Sequence, residues 1–124
     1  MEGLHVATSN HQAIKDITII KLGGYLDQST ATENERVIDS LLSSRCYRII
    51  VDLDEAEYIS SAAWGIFISK IKELRDHGGD LKLARMKPDV FEVYQILEFF
   101  WILKSYDSIN AAVADFDKNV PPMP

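Results

Sequence analysis

The run "YRIIVDL", residues 47–53, constrains the fold of this chain more than any other stretch. It is a short, continuous apolar segment bounded by polar residues. Such runs are typical of central strands that are covered on both faces, and these strands occur mainly in parallel sheets flanked by helices. The run therefore predicts a central strand of an α/β sheet.

The segments before this strand predict a hairpin and a helix. "HVATS" has the pattern of an edge strand that pairs with "DITIIKLGG", which Gly23 and Gly24 are expected to end. "QSTATENERVIDSLLSS" then has apolar residues at helical spacing, with Ser29 or Thr30 as the N-cap. The chain thus enters the central strand after two strands and one helix.

The segments after the central strand continue the alternation. From Ser61 to about Asp76 the apolar residues fall on one helical stripe, and "DHGG" provides a glycine stop. "DLKLARM" and "WILKSY" predict strands. "KPDVFEVYQILEF" and "DSINAAVADF" predict helices, the second capped by Asp107 or Ser108. The helix from Ser61 has this buried stripe: Ala63, Phe67, Ile71 and Leu74.

These elements predict one domain of the α/β class. We expect a mainly parallel central sheet of about five strands, with an N-terminal hairpin strand and about four helices. The domain spans residues 1–117, and residues 118–124, "KNVPPMP", are expected to form a flexible C-terminal tail.

The composition excludes several classes of function. The 124 residues carry a net charge of −6, and an acidic chain is poorly suited to bind a phosphate backbone. No apolar stretch approaches the roughly 20 residues of a membrane span. The start "MEGLHVATSNHQ" lacks the basic and apolar regions of a secretory leader. We expect a cytoplasmic protein that binds no nucleic acid and does not insert into membranes.

Cysteine and histidine show no metal-binding pattern. Cys46 is the single cysteine, so we interpret it as a packed thiol rather than half of an internal disulfide. His5, His11 and His77 have neither helical pairing nor the spacing of metal ligands. We predict no metal site and no cofactor.

Four acidic residues follow the central strand: Asp52, Asp54, Glu55 and Glu57. Ligands of open α/β sheets gather at such strand ends, and "IIVDLDEA" resembles the Asp-x-Asp motif of haloacid-dehalogenase-type phosphatases. That resemblance implies Asp52 as a nucleophile and Asp54 as acid/base, with magnesium nearby. The Thr or Val usual two residues after the second aspartate is missing. A solvated acidic loop is the simpler interpretation.

Two adjacent serines stand where a strand passes into a helix, in "EYISSAAWGIF", residues 57–67. The first turn of a helix presents free amide groups and the positive end of the helix dipole, so it tolerates an anion. Ser60 and Ser61 therefore either cap the helix or accept a modification that adds negative charge. Both roles are compatible.

From about Ile17 to Phe116 the chain resembles the STAS domain family, the fold of bacterial anti-sigma factor antagonists, also called anti-anti-sigma factors. "IIKLGGYLD" is similar to the family's strand ending in Gly-x-x-Asp, and "IIVDLDEAEYISSA" to its strand and phosphorylation loop. "LRDHGGDLKLARMKPDVFEVYQILEF" resembles the helix, Gly-Gly turn, strand and helix that follow. The resemblance implies a regulatory binding module that is not an enzyme.

The family's phosphoacceptor motif, Asp-Ser-(Ser/Thr/Ala)-Gly-Leu, aligns with residues 60–64, in which Ala63 replaces the usual glycine and Trp64 the usual leucine. The resemblance implies Ser61 as phosphoacceptor, with Ser60, in the aspartate position, as the alternative. It also implies partner switching. The unmodified protein binds an anti-sigma factor, often a GHKL-type serine kinase; phosphorylation ends the binding, and a PP2C-type phosphatase restores it.

The same resemblance implies a partner-binding surface around the serines. We expect Asp27 and its neighbours beside them, because the two strand ends should emerge at one edge of the sheet; alternatively, Asp27 only caps the first helix. Trp64, where the family has leucine, either packs into the core or widens the docking surface. The predicted partner-binding residues are Tyr25, Asp27, Gln28, Asp52, Asp54, Ser60, Ala62 and Trp64.

Two other functions stay open. One is a STAS-like adaptor subunit of a lipid-transport ABC complex, and the other is the magnesium-dependent phosphatase based on Asp52. Within the regulatory class, the sequence leaves open whether the target is a sigma-factor regulator, a secretion or signalling partner, or a stressosome-like assembly.

Overall fold

The computed structural model describes residues 5–10 and 17–118, which form a twisted sheet with helices on both faces. The strands are β1 (His5–Asn10), β2 (Ile17–Leu26), β3 (Arg48–Asp52), β4 (Ala56–Ile59), β5 (Asp80–Ala84) and β6 (Ser105–Tyr106). The helices are α1 (Ala31–Ser43), α2 (Ser61–Asp76), α3 (Pro88–Ile96) and α4 (Ile109–Lys118), with a 3₁₀ helix at Phe99–Trp101.

The sheet has the strand order β1-β2-β3-β5-β6, and β4 pairs with β2 off this path. The pair β1 and β2 is antiparallel, and every other pair is parallel. The run that predicted a central strand is β3, which lies between β2 and β5. The α/β class, the N-terminal hairpin strand and the four helices are confirmed.

The glycine pair in β2 does not end the strand, contrary to the prediction. Residues 17–21 of β2 pair with β3, whereas residues 24–26 pair with β4. Gly24 has a φ of 81°, and the register shifts between Gly24 and Tyr25. Glycine adopts this backbone conformation at little steric cost, so the pair forms a bulge that carries β2 from one partner strand to the next.

The larger core lies between the sheet and the helices α1, α2 and α3. Ile49 and Val51 of β3 point into it, whereas Ile50 points to the opposite face, as the two-residue period of a strand requires. The predicted stripe of α2 is buried throughout. This face therefore follows the apolar pattern of the sequence.

The opposite face is covered by α4, whose Ala112, Val113 and Phe116 pack on a small cluster. A charged group lies among them: Lys82 of β5 is fully buried and forms an ion pair with Asp115 of α4, with 2.9 Å between Nζ and Oδ2. The ammonium also lies 4.7 Å from the centre of the Phe116 ring. Tyr106 donates a hydrogen bond to the same carboxylate. Lys82 is fully buried, whereas Asp115 and Tyr106 are partly buried. We call Lys82, Asp115 and Tyr106 the buried triad.

Hydrogen bonding within the triad has two electrostatic consequences. The hydrogen bond from Tyr106 and the contact with Lys82 hold the pKa of Asp115 below its usual range. Burial, together with the neighbouring carboxylate, raises the pKa of Tyr106. Both shifts favour an ionised Asp115 beside a neutral Tyr106.

Three local predictions need correction. The segment "WILKSY" forms a strand only at Ser105–Tyr106, because its first residue belongs to the 3₁₀ helix. Thr30 occupies the N-cap position of α1, but its hydroxyl donates to the carbonyl of Tyr25 instead of capping the helix. The predicted tail begins inside α4, which runs to Lys118; the rest of that tail lies outside the described residues.

Two further observations bear on the sequence predictions. Cys46 is a half-buried free thiol. No helix within residues 5–10 and 17–118 is both long and apolar enough to cross a membrane.

Candidate functional site

The two serines stand between the end of β4 and the start of α2, and the structure gives them different roles. Ser60 is the N-cap of α2, and its Oγ accepts a hydrogen bond of 3.2 Å from the amide of Ala63. Ser61 is the first residue of the helix and is exposed, and its side chain has no hydrogen-bond partner among the described residues. One hydroxyl is thus used for capping and the other is accessible.

The end of β2 lies directly beside the serines. The amide of Ser60 donates to the carbonyl of Leu26 at 2.8 Å, and Leu26 pairs with Ile59 in the register of β2 and β4. Asp27 and Gln28 follow at once. The sequence-based expectation that Asp27 lies beside the serines therefore matches the arrangement of these strands, while its contact with a partner stays a prediction.

Asp27 also organises the turn that leads into α1. Its Oδ1 accepts hydrogen bonds from the amide and hydroxyl of Ser29, at 3.0 and 2.6 Å, and from the amide of Thr30 at 3.2 Å. The hydrogen bond from the Ser29 hydroxyl is the main reason that the pKa of Asp27 lies below its usual value. Asp27 is therefore a charged group with a structural role of its own.

A pair of exposed tyrosines flanks the serines. Tyr25 and Tyr58 face each other across β2 and β4, with their ring centres 6.3 Å apart. They are 41% and 50% exposed, respectively. Such exposed aromatic groups are common at the centres of protein interfaces. Tyr58 was absent from the predicted partner-binding residues, although its alternation with buried Ile59 in β4 marks it as outward-facing.

A groove of about 460 Å³ runs beside Ser61, between β4 and α3. Its lining combines apolar side chains with carboxylates, among which Asp89 and Glu92 form no ion pair with a described residue. The α3 wall of this groove was not among the predicted site residues. Apolar residues on more than one side of "KPDVFEVYQILEF" were the available signal. The wall consists of Asp89, Val90, Glu92, Val93 and Leu97.

The acidic residues after β3 form ion pairs and are not simply solvated. Asp52 is buried, and Arg85 binds it with both Nε and Nη2, at 3.1 and 2.7 Å. Asp54 lies 3.7 Å from the same Arg85. Glu55 and Glu57 contact lysines on neighbouring segments, Lys21 and Lys87.

Asp52 and Asp54 lie at the other end of β4 from the serines, and their contact with a partner stays a prediction. The four residues of β4 separate them from Ser60, a span of roughly 13 Å in an extended strand. Asp52 is 4% exposed and its charge is balanced by Arg85, so neither its burial nor its pairing suits a residue that contacts a partner.

Trp64 belongs to the core. It is 1% exposed, and its ring packs against Phe67, Tyr94 and Phe99. Of the two alternatives for this residue, the burial fits core packing, and Trp64 is not available to widen a docking surface. Ala62, by contrast, is exposed beside Ser61.

The comparisons with known proteins identify the family. The sequence model of the STAS domain family matches residues 9–112 of this chain. The chain belongs to the STAS domain family. A relative of this STAS domain is BtrV of Bordetella bronchiseptica, named a candidate anti-sigma factor antagonist. It is 32% identical over 108 residues, which cover 87% of this chain and 93% of BtrV.

Solved structures of anti-sigma factor antagonists share the fold. A candidate anti-sigma factor antagonist from Thermotoga maritima superimposes with a TM-score of 0.81 at 22% identity, over 90% of this chain and 94% of its own. The anti-sigma factor antagonist SpoIIAA of Bacillus has been solved unphosphorylated and phosphorylated, with TM-scores of 0.69 and 0.63 at 16% and 17% identity. These matches cover 94% and 88% of this chain and 100% and 98% of the SpoIIAA chains.

Proposed function

We propose that this STAS domain is an anti-sigma factor antagonist whose binding is controlled by phosphorylation of Ser61. The observation that carries the proposal is the difference between the two serines. Ser60 caps α2, whereas the Ser61 hydroxyl is exposed at the helix start without a hydrogen-bond partner among the described residues. A kinase needs an accessible hydroxyl, and a helix N-terminus tolerates the phosphate that results.

The docking surface in this proposal surrounds Ser61. Its centre is the aromatic pair of Tyr25 and Tyr58, and its edges are formed by Asp27, Gln28 and Ala62. Ser60 contributes through the cap that fixes the start of α2. The partner is a GHKL-type anti-sigma factor that is also a serine kinase, and a PP2C-type phosphatase reverses the modification.

Electrostatics explain how one phosphate ends the binding. The groove beside Ser61 already contains the carboxylates of Glu57, Asp89 and Glu92. Among the residues that the structure describes, only Glu57 of these three has a cation within ion-pair distance, on Lys87. A phosphate adds about −1.5 to −2 charges. A partner that fits the unmodified surface must then bury or face this extra charge, which costs several kcal/mol where the charge is unpaired. The switch requires no refolding.

The first test identifies the modified residue. The chain, Ser61→Ala and Ser60→Ala are each incubated with ATP and the serine kinase that copurifies with the tagged chain, and phosphopeptides are mapped by mass spectrometry. We expect phosphate on Ser61 in the wild-type chain and in Ser60→Ala, and none in Ser61→Ala. Phosphate found only on Ser60, or retained in full by Ser61→Ala, would contradict the assignment.

The second test measures binding of the same copurified partner by calorimetry. Ser61→Asp should fold normally, because an acidic residue is favourable in the first turn of a helix. We expect it to bind at least about tenfold more weakly, which corresponds to about 1.4 kcal/mol, while Ser61→Ala binds like the unmodified chain. Equal, near-native affinity of both variants would defeat the switch.

A further inference from the structure

The groove beside Ser61 has two walls of different composition. One wall comes from β4 and includes Tyr58 and Ile59, and the other comes from α3 and includes Asp89, Glu92 and Val93. These side chains line a single cavity of about 460 Å³. They therefore form one continuous surface that an occupant can contact at the same time.

The α3 wall combines carboxylates with exposed apolar side chains. Asp89, Glu92 and Val93 have the spacing i, i+3, i+4, which places them on one side of the helix. Leu97, the C-cap residue of α3, extends this wall by one more turn. Val93 and Leu97 are 40% and 50% exposed. The wall is thus acidic at the start of the helix and apolar at its end.

Two negative charges of the groove are not balanced within the described part of the chain. Glu57 lies 2.9 Å from the ammonium of Lys87, so this pair is neutral as a whole. Asp89 and Glu92 have no cation within ion-pair distance among residues 5–10 and 17–118. Both are exposed on α3. An occupant of the groove therefore meets two unbalanced carboxylates.

Trp64 lines the groove from the side of the core, where it is 1% exposed. Its indole N–H has no hydrogen-bond partner among the described residues, although buried indole groups usually have an acceptor. Together with Tyr58 and Ile59 it makes the base of the groove largely apolar. The groove thus offers apolar surface as well as negative charge.

The charge of the groove argues against several kinds of occupant. No group of three or more potential ligands within the described residues is arranged to hold a metal ion. Anionic lipids and nucleic acid backbones are repelled by unbalanced carboxylates. A second copy of this chain, which has a net charge of −6, would bring further negative charge to the same place. A suitable occupant carries positive charge and apolar surface.

We infer that the protein partner fills the groove beside Ser61 with a segment that combines an apolar side chain with two basic side chains. The basic side chains pair with Asp89 and Glu92, and the apolar one contacts Tyr58, Val93 and Leu97. This inference rests on the proposed function, since the partner is the same serine kinase. It makes the two carboxylates of α3 determinants of partner choice, because complementary charges favour the correct partner and accelerate its association.

This arrangement is compatible with a switch at Ser61. Ser61 follows the β4 wall, where its neighbours in the groove are Tyr58, Ile59 and Trp64, whereas the unbalanced carboxylates are on α3. A phosphate on Ser61 is therefore placed beside apolar side chains, while the two basic side chains of the partner are engaged at the α3 wall. Its charge of about −1.5 to −2 exceeds what these two basic groups balance.

Calorimetric titration with the copurified serine kinase, without ATP, tests the charged part of the inference. Glu92→Lys should weaken binding at least about tenfold, because it places a cation opposite a basic side chain. Asp89→Asn should weaken it about threefold. Asp117→Lys is the matched control: it makes the same change of charge at an exposed position of α4, on the opposite face of the sheet, and should alter binding less than about twofold.

The salt dependence of binding provides a readout that a change in folding does not imitate. Between about 0.05 and 0.5 M sodium chloride, the affinity of the wild-type chain should fall about tenfold, because salt screens exposed charges. The double variant Asp89→Asn/Glu92→Gln removes both charges with little change in shape. It should lose most of this salt dependence, and thermal unfolding verifies that it is folded.

Two neighbouring apolar residues test the other part of the inference. Leu97 lines the groove, whereas Ile96, which is 69% exposed, is not one of its lining residues. Leu97→Ala should weaken binding at least about fivefold, since apolar groups at the centre of an interface contribute most to its affinity. Ile96→Ala removes a side chain of similar size and should change the affinity less than about twofold.

Three outcomes overturn the inference: near-native affinity of Glu92→Lys, equal losses in Glu92→Lys and Asp117→Lys, and an unchanged salt dependence in the double variant. Phosphopeptide mapping separates such a failure from failure of the proposed function. Phosphate on Ser61 together with normal binding of the groove variants overturns the groove inference alone. Weakened binding of these variants without phosphate on Ser61 supports the groove inference and overturns the switch.

Discussion

On the α4 face of the sheet, a fully buried lysine is bonded to partly buried polar side chains, whereas at the serine pair the Ser61 side chain is exposed to solvent. Lys82 is fully buried, and the carboxylate of Asp115 and the hydroxyl of Tyr106 surround its ammonium. At the serine pair, Ser61 and Tyr58 are exposed at the surface. The two regions belong to the same sheet, and burial is the property that separates them.

This difference determines what each region contributes. In the buried triad every charge depends on its partner, because an unpaired charge in an apolar environment is unfavourable. At the serine pair, water solvates the polar groups. Substitution or modification of these groups therefore changes stability little, but it changes the charge of the surface that a partner contacts. The first region is expected to govern stability, and the second is expected to govern binding.

The largest expected effect is loss of the triad carboxylate. Asp115→Ala leaves the Lys82 ammonium buried, with Asp80 at 3.6 Å as its one acidic neighbour in the described part of the chain. We expect a loss of about 3 kcal/mol in the free energy of unfolding, measured by urea denaturation, since breaking a buried ion pair typically costs about 3–5 kcal/mol. Asp117→Ala, at an exposed position of the same helix, is the control and should change stability by less than about 0.5 kcal/mol. Equal losses in both variants would contradict the comparison.

The pH dependence of stability sharpens the same point. The pKa of Asp115 is lowered in the folded chain, mainly by the hydrogen bond from Tyr106. The stability that the ionised Asp115 contributes to the folded state is therefore fully present above the ordinary aspartate pKa of about 4. It is lost as the pH falls below that value toward the lower pKa that Asp115 has in the folded chain. Between pH 5 and the acid limit, the wild-type chain should lose more stability than Asp115→Ala. Parallel pH profiles of the two proteins would contradict this assignment.

An intermediate effect is expected where a buried carboxylate meets a partly exposed cation. Arg85→Ala leaves Asp52 buried without its bidentate partner. Water reaches this site more easily than the triad, because the Arg85 side chain is 37% exposed. We expect a loss of about 2 kcal/mol, below the range for fully buried pairs. Asp54→Ala removes the weaker contact of the same Arg85 and should lower the free energy of unfolding far less. A larger loss for Asp54→Ala than for Arg85→Ala would contradict the assignment of Asp52 as the main partner of Arg85.

The smallest expected effects are at the serine pair itself. Ser60→Ala removes the acceptor for the Ala63 amide and should lower the free energy of unfolding by about 1 kcal/mol, as loss of an N-cap does. Ser61→Ala should change it by less than about 0.5 kcal/mol, as is usual at exposed positions. Thermal unfolding of the two variants side by side measures the difference. A greater loss of stability for Ser61→Ala than for Ser60→Ala would contradict the assignment of the N-cap to Ser60.

The sequence by itself determined the class of fold and the position of the serines. The apolar run of β3 and the stripe of α2 each report burial within one segment, and both are as predicted. Local patterns of this kind depend on neighbours within a few residues, so they can be read without knowledge of the rest of the chain. The serine pair was found the same way, because a change from strand to helix pattern fixes where a helix begins.

The tertiary structure decided which groups meet across long stretches of chain. Arg85 binds Asp52 across 33 residues, and Asp115 reaches Lys82 across the same separation. Neither pairing leaves a local signal, so the acidic run after β3 looked solvated and the strand pattern of residues 80–84 did not mark Lys82 as buried. Trp64 was ambiguous for the same reason: its position on the helix was clear, but the aromatic rings that bury it come from α2, α3 and the 3₁₀ helix. Periodicity reports that a side chain has a buried or an exposed face, whereas only the folded chain supplies the partner on that face.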